Sequence, residues 1–241
     1  MFLFTGIKIY KKMRVICTIC ARGGSKGLKN KNLIKLNGNS LTRISIKQAI
    51  KSNLFDEIVL SSDSNKILFE AKKYKFLNLI KREKKLSNDT VGKILAIRDA
   101  VLKIEKKKNF KFDVIVDLDV TCPLRLISDI KNAYNIFKKK NSDNLLTVTS
   151  PRKNPYFNIL ELKNGKLKKL KKSKKKITSR QMAPVVYEMN AAIYIWKRKS
   201  LFSESPFLKK KTSLYKMPYE RSIDIDSALD LKMVKFFKNN A

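Results

Sequence analysis

The sequence predicts an α/β protein, a three-layer αβα sandwich with a mostly parallel, Rossmann-like central sheet and a small β-hairpin insertion. Short apolar runs alternate with helix-like segments over the first 150 residues, and parallel strands need such crossovers. A length of 241 residues with 43% hydrophobic residues suits one large domain. After about residue 150 the alternation gives way to a hairpin pattern around Asn164-Gly165.

Each element follows from its apolar spacing and its capping residues. Ser40 or Thr42 can cap the first helix, and Asp89 and Thr90 introduce the third. The predicted strands are Val15–Cys20, Glu57–Ser61, 77–80, Asp113–Leu118, 144–149 and Asn190–Trp196. The predicted helices are 40–52, 64–74, 91–106, 126–139 and a last one that opens within Ser222–Asp230 and runs to about 238.

The domain organisation is predicted to be simple. Residues 1–12 lack a long apolar stretch and a cleavage site, so we expect a disordered extension or a misassigned start rather than a signal peptide or membrane span. Residues 13–241 would form a single domain in which 151–180 is an inserted hairpin. Its apolar residues favour pairing with a second subunit, and a mobile surface arm is the alternative.

Composition excludes several kinds of chemistry. The chain has no histidine, which removes Ser-His-Asp and Cys-His catalysis and histidine zinc sites. Phosphoryl and nucleotidyl transfer remain, because positioning and charge neutralisation carry most of their catalysis. The formal charge of +35 raises a nucleic-acid alternative, yet only ten of the 55 basic residues are arginine and the lysines are spread along the chain. Three cysteines suit a reducing compartment, and Cys17 and Cys20 are predicted to be buried structural thiols rather than a redox pair.

The most informative stretch is the apolar run Val15–Cys20 followed at once by a glycine-rich basic loop at residues 22–27. Backbone N–H groups in such a loop can face a phosphate, and Arg22, Lys26 and Lys31 can add charge for an oligophosphate. The spacing matches neither the Walker A motif nor the dinucleotide-binding fingerprint. A solvated basic turn is the alternative interpretation.

Other polar residues follow the predicted strands. Residues 61–63 end the second strand, and Asp117 and Asp119 end the fourth, from which a polar stretch runs to Arg125. Ligands of open α/β sheets bind beyond the carboxyl ends of the strands. The sequence therefore predicts a ligand site at this edge.

Five motifs in order resemble the acylneuraminate cytidylyltransferases, which make CMP-activated nine-carbon sugar acids. The resemblance covers about residues 14–237 and implies the nucleotide-diphospho-sugar transferase type of fold. Its motifs are residues 21–27 with Lys31-Asn32, Arg82 with 88–90, Thr121–Arg125, Arg180-Gln181 with Asn190–Ile195, and Asp224–Asp226 with Asp230.

The resemblance implies a role for each motif. It implies CTP and a nonulosonic acid as substrates, Mg²⁺ as cofactor, a cytoplasmic homodimer and a place in surface glycan synthesis, such as that of lipopolysaccharide or capsule, with no membrane partner and no specific nucleic acid. The implied catalytic residues are Arg22, Lys31, Asp224 and Asp226. The implied nucleotide-binding residues are Arg22, Gly23, Gly24, Ser25, Lys31, Asn32, Arg82 and Asn88. The implied sugar-binding residues are Asp119, Thr121, Arg180, Gln181 and Asn190, and the metal ligands are Asp224 and Asp226, with Asp119 as a possible third.

Three departures bear on the substrate. Asp119 stands where the family usually has Gln, Glu188 where the sialic-acid enzymes have Arg, and residues 154–157 lack their Lys. These differences, with the stretch Asp117–Arg125, make the chain more similar to the branch that acts on legionaminic acid. A cytidylyltransferase for the eight-carbon acid Kdo is the alternative within the enzyme class, and a basic nucleic-acid-binding protein is the alternative outside it.

Two carboxylate questions stay open at the level of sequence. Residues two apart on an extended segment face opposite ways, so Asp224 and Asp226 can share one ion only if the chain turns between them. Asp226 is then the first choice for direct ligation, Asp224 either ligates or accepts a proton, and the alternative is that Asp226 only caps the last helix. Asp119 could be a further metal arm, a sugar contact or the partner of a loop lysine.

Overall fold

The computed structural model describes residues 12–24, 27–87 and 92–240 and contains a central sheet of seven strands with helices on both faces. The strands in chain order are β1 (Val15–Cys20), β2 (Lys35–Leu36), β3 (Asn39–Ser40), β4 (Glu57–Ser62), β5 (Asn78–Lys81), β6 (Val114–Leu118), β7 (Asn144–Thr149), β8 (Leu160–Lys163), β9 (Lys166–Lys169), β10 (Glu188–Lys197) and β11 (Thr212–Lys216). The helices are α1 (Leu41–Ser52), α2 (Asn65–Phe69), α3 (Lys93–Lys108), α4 (Ile127–Lys139), α5 (Arg198–Leu201) and α6 (Ala228–Asn239).

The sheet is mostly parallel, as predicted. Its strand order is β11-β7-β10-β6-β1-β4-β5, and within the described residues β10 is the strand that runs antiparallel to its neighbours. The register of β1 places Thr18 opposite both Val59 of β4 and Asp117 of β6. The carboxyl ends of these three strands therefore meet at one edge of the sheet.

Alternating residues of the strands pack into two separate cores. Cys17 and Ile19 of β1 face a cluster that includes apolar residues of α1, α4 and α6. Ile16 faces a second cluster built largely on α3. Period-two alternation of buried apolar residues is the pattern of a sheet covered on both faces, so the third layer follows directly from the strand sequences.

The predicted cap of the first helix is confirmed, whereas α3 begins after Gly92 without a side-chain cap and its predicted caps Asp89 and Thr90 lie outside the described residues. Ser40 caps α1 by accepting a hydrogen bond from the Arg43 N–H at 3.1 Å. Ser227 caps α6, and its side chain and that of Asp230 form a capping box. Because Ser227 already caps α6, the carboxylate of Asp226 is not needed for that purpose.

Some elements differ from their prediction. The helix expected at 64–74 is regular only over Asn65–Phe69 and continues as turns, and the helix expected at 91–106 occupies Lys93–Lys108. The sequence analysis missed β11, whose residues are only partly buried or exposed and so show no strong apolar pattern. None of the helices within the described ranges is long and apolar enough to cross a bilayer.

The hairpin pattern around Asn164-Gly165 folds as predicted. Strands β8 and β9 pair antiparallel in a two-stranded sheet of their own, with positive φ of 52° and 71° at the two turn residues. These angles suit the tight turns of two-residue hairpins. Every residue from 160 to 176 is exposed in the single chain. We call residues 151–180 the insertion arm.

Candidate active site

The glycine-rich loop at residues 22–27, hereafter the glycine loop, leaves β1 at the sheet edge and is fixed there by polar contacts. The Gly23 N–H donates to Asp63 Oδ1 at 2.9 Å, and Arg82 lies 3.8 Å from the same oxygen. A side chain on Gly23 would place its Cβ 3.0 Å from Ser64 Cβ, so the loop packs closely on the residues that follow β4. The ends of β1, β4 and β5 thus share one carboxylate.

Asn32 anchors the other end of this loop. It is buried, and its Nδ2 donates to the Arg22 carbonyl at 2.9 Å. Its own carbonyl accepts a hydrogen bond from Thr42 Oγ1 of α1 at 2.8 Å. Asn32 therefore holds the backbone that carries Arg22 in place. The predicted residues Ser25, Lys26, Asn88, Asp89 and Thr90 lie outside the described residues.

The residues Ser222 to Ser227, here called the acidic segment, meet the glycine loop. The Lys31 ammonium lies 2.7 Å from Asp226 Oδ1. A Cβ on Gly27 would lie 2.4 Å from the Asp226 carbonyl oxygen, which is closer than real Cβ contacts come. Only glycine allows this approach, so the basic loop and the C-terminal carboxylates form one cleft.

Asp224 is half-buried in this cleft. Its Oδ1 atom is buried and accepts no hydrogen bond from the described residues. Burial raises the pKa of Asp224 to about 6; the nearby charge of Asp119 adds to this rise, and a hydrogen bond from Thr121 opposes it. A buried carboxylate oxygen without a donor is the group expected where a cation or a proton is to be received.

Asp117, Asp119 and Lys93 form an ion cluster at the end of β6. The Lys93 Nζ atom lies 2.6 Å from Oδ2 of each aspartate. Burial disfavours the Lys93 charge, but the two carboxylates outweigh it and raise its pKa. Burial raises the pKa of Asp117, which also accepts a 2.7 Å hydrogen bond from Thr18. For Asp119 burial is outweighed by Lys93 and by donors on Thr121, so its pKa is lowered to about 2.

The turn after β6 joins this cluster to the acidic segment. The backbone N–H and the hydroxyl of Thr121 both donate to Asp119 Oδ1, at 3.0 and 2.9 Å. The carbonyl of Thr121 accepts from the Ile225 N–H at 2.9 Å. Arg125 is fully buried and donates to the Asp119 and Cys122 carbonyls and to Ser45. Arg125 therefore fixes the backbone of the turn by binding two of its carbonyl groups.

The predicted sugar-side residues occupy two environments. Asn190 is buried beside a bulge of β10, where Ala191 has a φ of 55°, and it donates to Ser222 Oγ at 2.9 Å. It thereby contacts the start of the acidic segment. Arg180 and Gln181 are exposed in a short 3-10 turn, and Arg180 donates to the Pro151 carbonyl at the base of the insertion arm.

Sequence reasoning missed Lys93, and it placed Asp63 at the ligand edge without giving it a role. Lys93 is one of 45 lysines, obtained as the 55 basic residues less ten arginines, and no local motif distinguishes it. A signal was available for Asp63, which directly follows a buried strand at the predicted ligand edge. Among the predicted site residues that the structure describes, Arg180 and Gln181 lie at the end of the arm. The others lie at or beside that edge of the sheet.

The chain has clear relatives. A family model described as Cytidylyltransferase matches residues 16–240. Post-translational flagellin modification protein B of Campylobacter coli is 45% identical over 222 residues, covering 92% of this chain and 94% of that protein. CMP-N,N'-diacetyllegionaminic acid synthase of Campylobacter jejuni subsp. jejuni serotype O:2 matches with the same identity and coverage. A solved structure of CMP:2-keto-3-deoxy-manno-octonic acid synthetase complexed with CTP superposes with a TM-score of 0.67 at 12% identity, covering 94% of this chain and 99% of that one.

The low identity of the solved structure shows a shared fold, and the sequence matches extend across almost the whole chain. The predicted fold class, the nucleotidyltransferase activity and the resemblance seen in the motifs are confirmed. A chain matched by the family model over residues 16–240 and by relatives at this identity belongs to the cytidylyltransferase family.

Proposed function

We propose that this enzyme transfers the CMP group of CTP to a nonulosonic acid of the legionaminic type, forming a CMP-sugar and pyrophosphate. The observation that carries the proposal is the shared cleft of the glycine loop and the acidic segment, marked by the Lys31–Asp226 contact at 2.7 Å. The choice of acid is supported by the relative named for diacetyllegionaminic acid at 45% identity. Two relatives named for pseudaminic acid are less similar, at 31% and 30%, and a second relative named for diacetyllegionaminic acid is 28% identical.

On the nucleotide side, we assign the glycine loop with Arg22 and Lys31 to the phosphates and Arg82 to the neighbourhood of the base. Lys31 now lies against Asp226, and a triphosphate would give it a second anion in the same place. Arg82 is held in position by Ser87 Oγ at 2.9 Å as well as by Asp63. These arginine and lysine groups supply the charge neutralisation on which nucleotidyl transfer depends.

The donor set fits Mg²⁺. Asp226 is exposed, Asp224 has a buried oxygen without a donor, and hard cations prefer such carboxylates. The described residues contain no group of three or more His, Cys, Asp and Glu side chains that could hold a metal, but Mg²⁺ commonly uses one or two carboxylates with phosphates and waters. Asp224 and Asp226 would hold the ion, which when bound neutralises phosphate charge and polarises the α-phosphoryl group.

The chemistry is a displacement at the α-phosphorus of CTP. The anomeric hydroxyl of the sugar acid loses its proton and forms the new O–P bond, while the bond to the β-phosphate breaks and pyrophosphate leaves with the electron pair. Where Asp226 alone holds the ion, Asp224 is the carboxylate placed to accept that proton, since its buried Oδ1 atom has no donor among the described residues.

We assign the acceptor to the space beside the end of β6 and the insertion arm. Asp119, Thr121 and Asn190 line its inner side, and Arg180 and Gln181 would approach from the arm. Thr121, Asn190, Arg180 and Gln181 can donate hydrogen bonds to hydroxyl, amide or carboxylate oxygens, whereas the Asp119 carboxylate can accept from a hydroxyl or an amide N–H. Asp119 is held by Lys93 and Thr121, so we assign it to orienting the acceptor rather than to metal binding.

We also propose a homodimer formed through the insertion arm. Leu162 and Leu167 lie opposite each other in the hairpin and are 72% and 69% exposed in the single chain. Exposed apolar edges of this kind are usually covered by a partner. Replacing both residues with Asp should convert a dimer to a monomer in sedimentation velocity, and an unchanged sedimentation coefficient would contradict this assignment.

The activity is tested by pyrophosphate release from CTP and Mg²⁺ with legionaminic, pseudaminic, sialic and Kdo acids. We expect the highest kcat/KM with a legionaminic acid and no release when Asp226 is replaced by Asn. A higher kcat/KM with Kdo would favour the alternative within the enzyme class. Salt-sensitive nucleic-acid binding without CTP turnover would favour the alternative of a basic nucleic-acid-binding protein.

A further inference from the structure

The Lys93–Asp117–Asp119 cluster lies at the end of β6, and the motifs assigned no role to Lys93. The Lys93 side chain is 30% exposed, whereas those of Asp117 and Asp119 are 0% and 17% exposed. Within the described residues, the ion pairs of both aspartates involve Lys93. Removing Lys93 is expected to destabilise the folded chain, because the two buried carboxylates would then carry uncompensated charge.

A chain of short contacts leads from Lys93 to the acidic segment. Lys93 binds Asp119 Oδ2, and Asp119 Oδ1 receives both donors of Thr121. The Thr121 carbonyl then receives the N–H of Ile225, the residue between Asp224 and Asp226. Each link is 3.0 Å or shorter. The orientation of Asp119 is thus coupled to the acidic segment through one backbone hydrogen bond.

The cluster also sets the charge that incoming substrates meet. Both proposed substrates are anions, and Asp119 already raises the energy of the ionised form of Asp224. Without Lys93 the end of β6 would present the uncompensated charges of Asp117 and Asp119 to a phosphate and a carboxylate. Uncompensated negative charge beside a binding site opposes the binding of an anion.

We propose that Lys93 is a positioning residue of the transfer site, which orients Asp119 and through Thr121 the acidic segment, and which cancels negative charge beside the acceptor. This inference rests on the proposed function for its catalytic consequence, but the contact chain can be measured without substrates. Among the described residues Lys93 contacts Asp117, Asp119 and the Tyr194 ring, so we expect its effect on turnover and on the acceptor rather than on CTP binding.

The test compares Lys93→Met with Lys103→Met, a matched control on the same helix that is 39% exposed and pairs with Asp99 at 2.9 Å. For Lys93→Met we expect kcat to fall by roughly 100-fold, the acceptor KM to rise, and the KM for CTP to stay within about threefold of the parent value. Hydrogen exchange of the peptide containing residues 222–227 should accelerate, because the Ile225 N–H loses its fixed acceptor. Lys103→Met should change neither quantity.

A double variant, Lys93→Met with Asp119→Asn, distinguishes the proposed effect from misfolding. It removes one of the two unpaired charges, that of Asp119, and keeps an oxygen that can accept from Thr121, so protection of residues 222–227 and part of the lost kcat should return. Parental kcat and exchange in Lys93→Met, or a rise in the KM for CTP as large as the rise in the acceptor KM, would overturn the inference. If the parent enzyme turned over none of the acids, the proposed function would fail, while the exchange data would still decide whether Lys93 holds the acidic segment.

Discussion

The two halves of the site are built in opposite ways. The nucleotide half is fixed within the chain by buried polar contacts, in which Asn32 holds the Arg22 carbonyl and Asp63 holds the Gly23 N–H. The acceptor half depends on the insertion arm, where Arg180 is exposed and contacts a backbone carbonyl at the base of the arm. Under the proposed assignments, the part that binds the nucleotide is preorganised in a single chain, whereas the part that selects the acid is completed by the arm.

The largest expected effect on the nucleotide half comes from removing the Asp226 carboxylate, which joins the acidic segment to Lys31. Asp226→Asn should lower kcat by roughly 1,000-fold, the scale of losing one preorganised charge at a transfer site. Titration with Mg²⁺ should show a weaker response as well. Glu220→Gln, an exposed change in the turn before the acidic segment, serves as the control and should keep parental kcat. Parental turnover in the Asp226 variant would remove the acidic segment from the mechanism.

The glycine loop offers a backbone test of the same contact. Gly27→Ala must move either the loop or the Asp226 carbonyl, because the new Cβ would lie 2.4 Å from that oxygen. We expect kcat/KM to fall by about 30-fold, near the roughly 2 kcal/mol that overpacking typically costs. Gly24→Ala, in the same loop but with nothing within 4 Å of its Cβ position, tests the approach of the phosphates without disturbing that contact. Equal effects of the two substitutions would show that the loop and the acidic segment do not need to touch.

Removal of the Asp224 charge should stabilise the protein while it abolishes turnover. The pKa of Asp224 is about 6 in the folded chain against a usual value of 3.8, so the folded state favours the protonated form. That contribution is complete below about pH 4 and is lost as pH rises through 6, and it amounts to about 2 kcal/mol at 1.36 kcal/mol per pKa unit after allowance for partial exposure.

Asp224→Asn should therefore raise the Tm by roughly 5 °C at pH 7.5 and by little at pH 4. Differential scanning calorimetry at the two pH values measures this difference. Asp99→Asn, a carboxylate of α3 away from the cleft, is the control, and a Tm gain that is equal at both pH values would contradict the raised pKa of Asp224.

The sequence was informative where the chain's own pattern decides the structure. Strands β1 and β7 begin and end at the predicted residues because continuous apolar runs bounded by polar residues leave little choice of register. The Lys31–Asp226 contact joins residues 195 apart, yet its two motifs were both identified, since a basic glycine loop and an acidic pair each carry recognisable chemistry.

What escaped prediction depends on tertiary packing. Lys93 is distinguished from the other lysines only by the two carboxylates that fold against it. Strand β11 forms because β7 offers it a parallel edge, not because its residues have a strong pattern. The short regular part of α2 likewise reflects local turns that apolar spacing does not report.

The smallest expected effect is that of Arg180→Ala, which tests the role of the arm in acceptor recognition. If the arm only completes acceptor recognition, Arg180→Ala should raise the KM for the sugar acid by about tenfold, near the roughly 1.4 kcal/mol of one hydrogen bond to a charged group, and leave the KM for CTP unchanged. Lys176→Ala, an exposed basic residue on the same arm, tests whether net charge alone explains the effect and should change the acceptor KM by less than about twofold. A parallel rise in the KM for CTP would show that Arg180 serves the nucleotide, and the division into a preorganised half and an arm-dependent half would then be wrong.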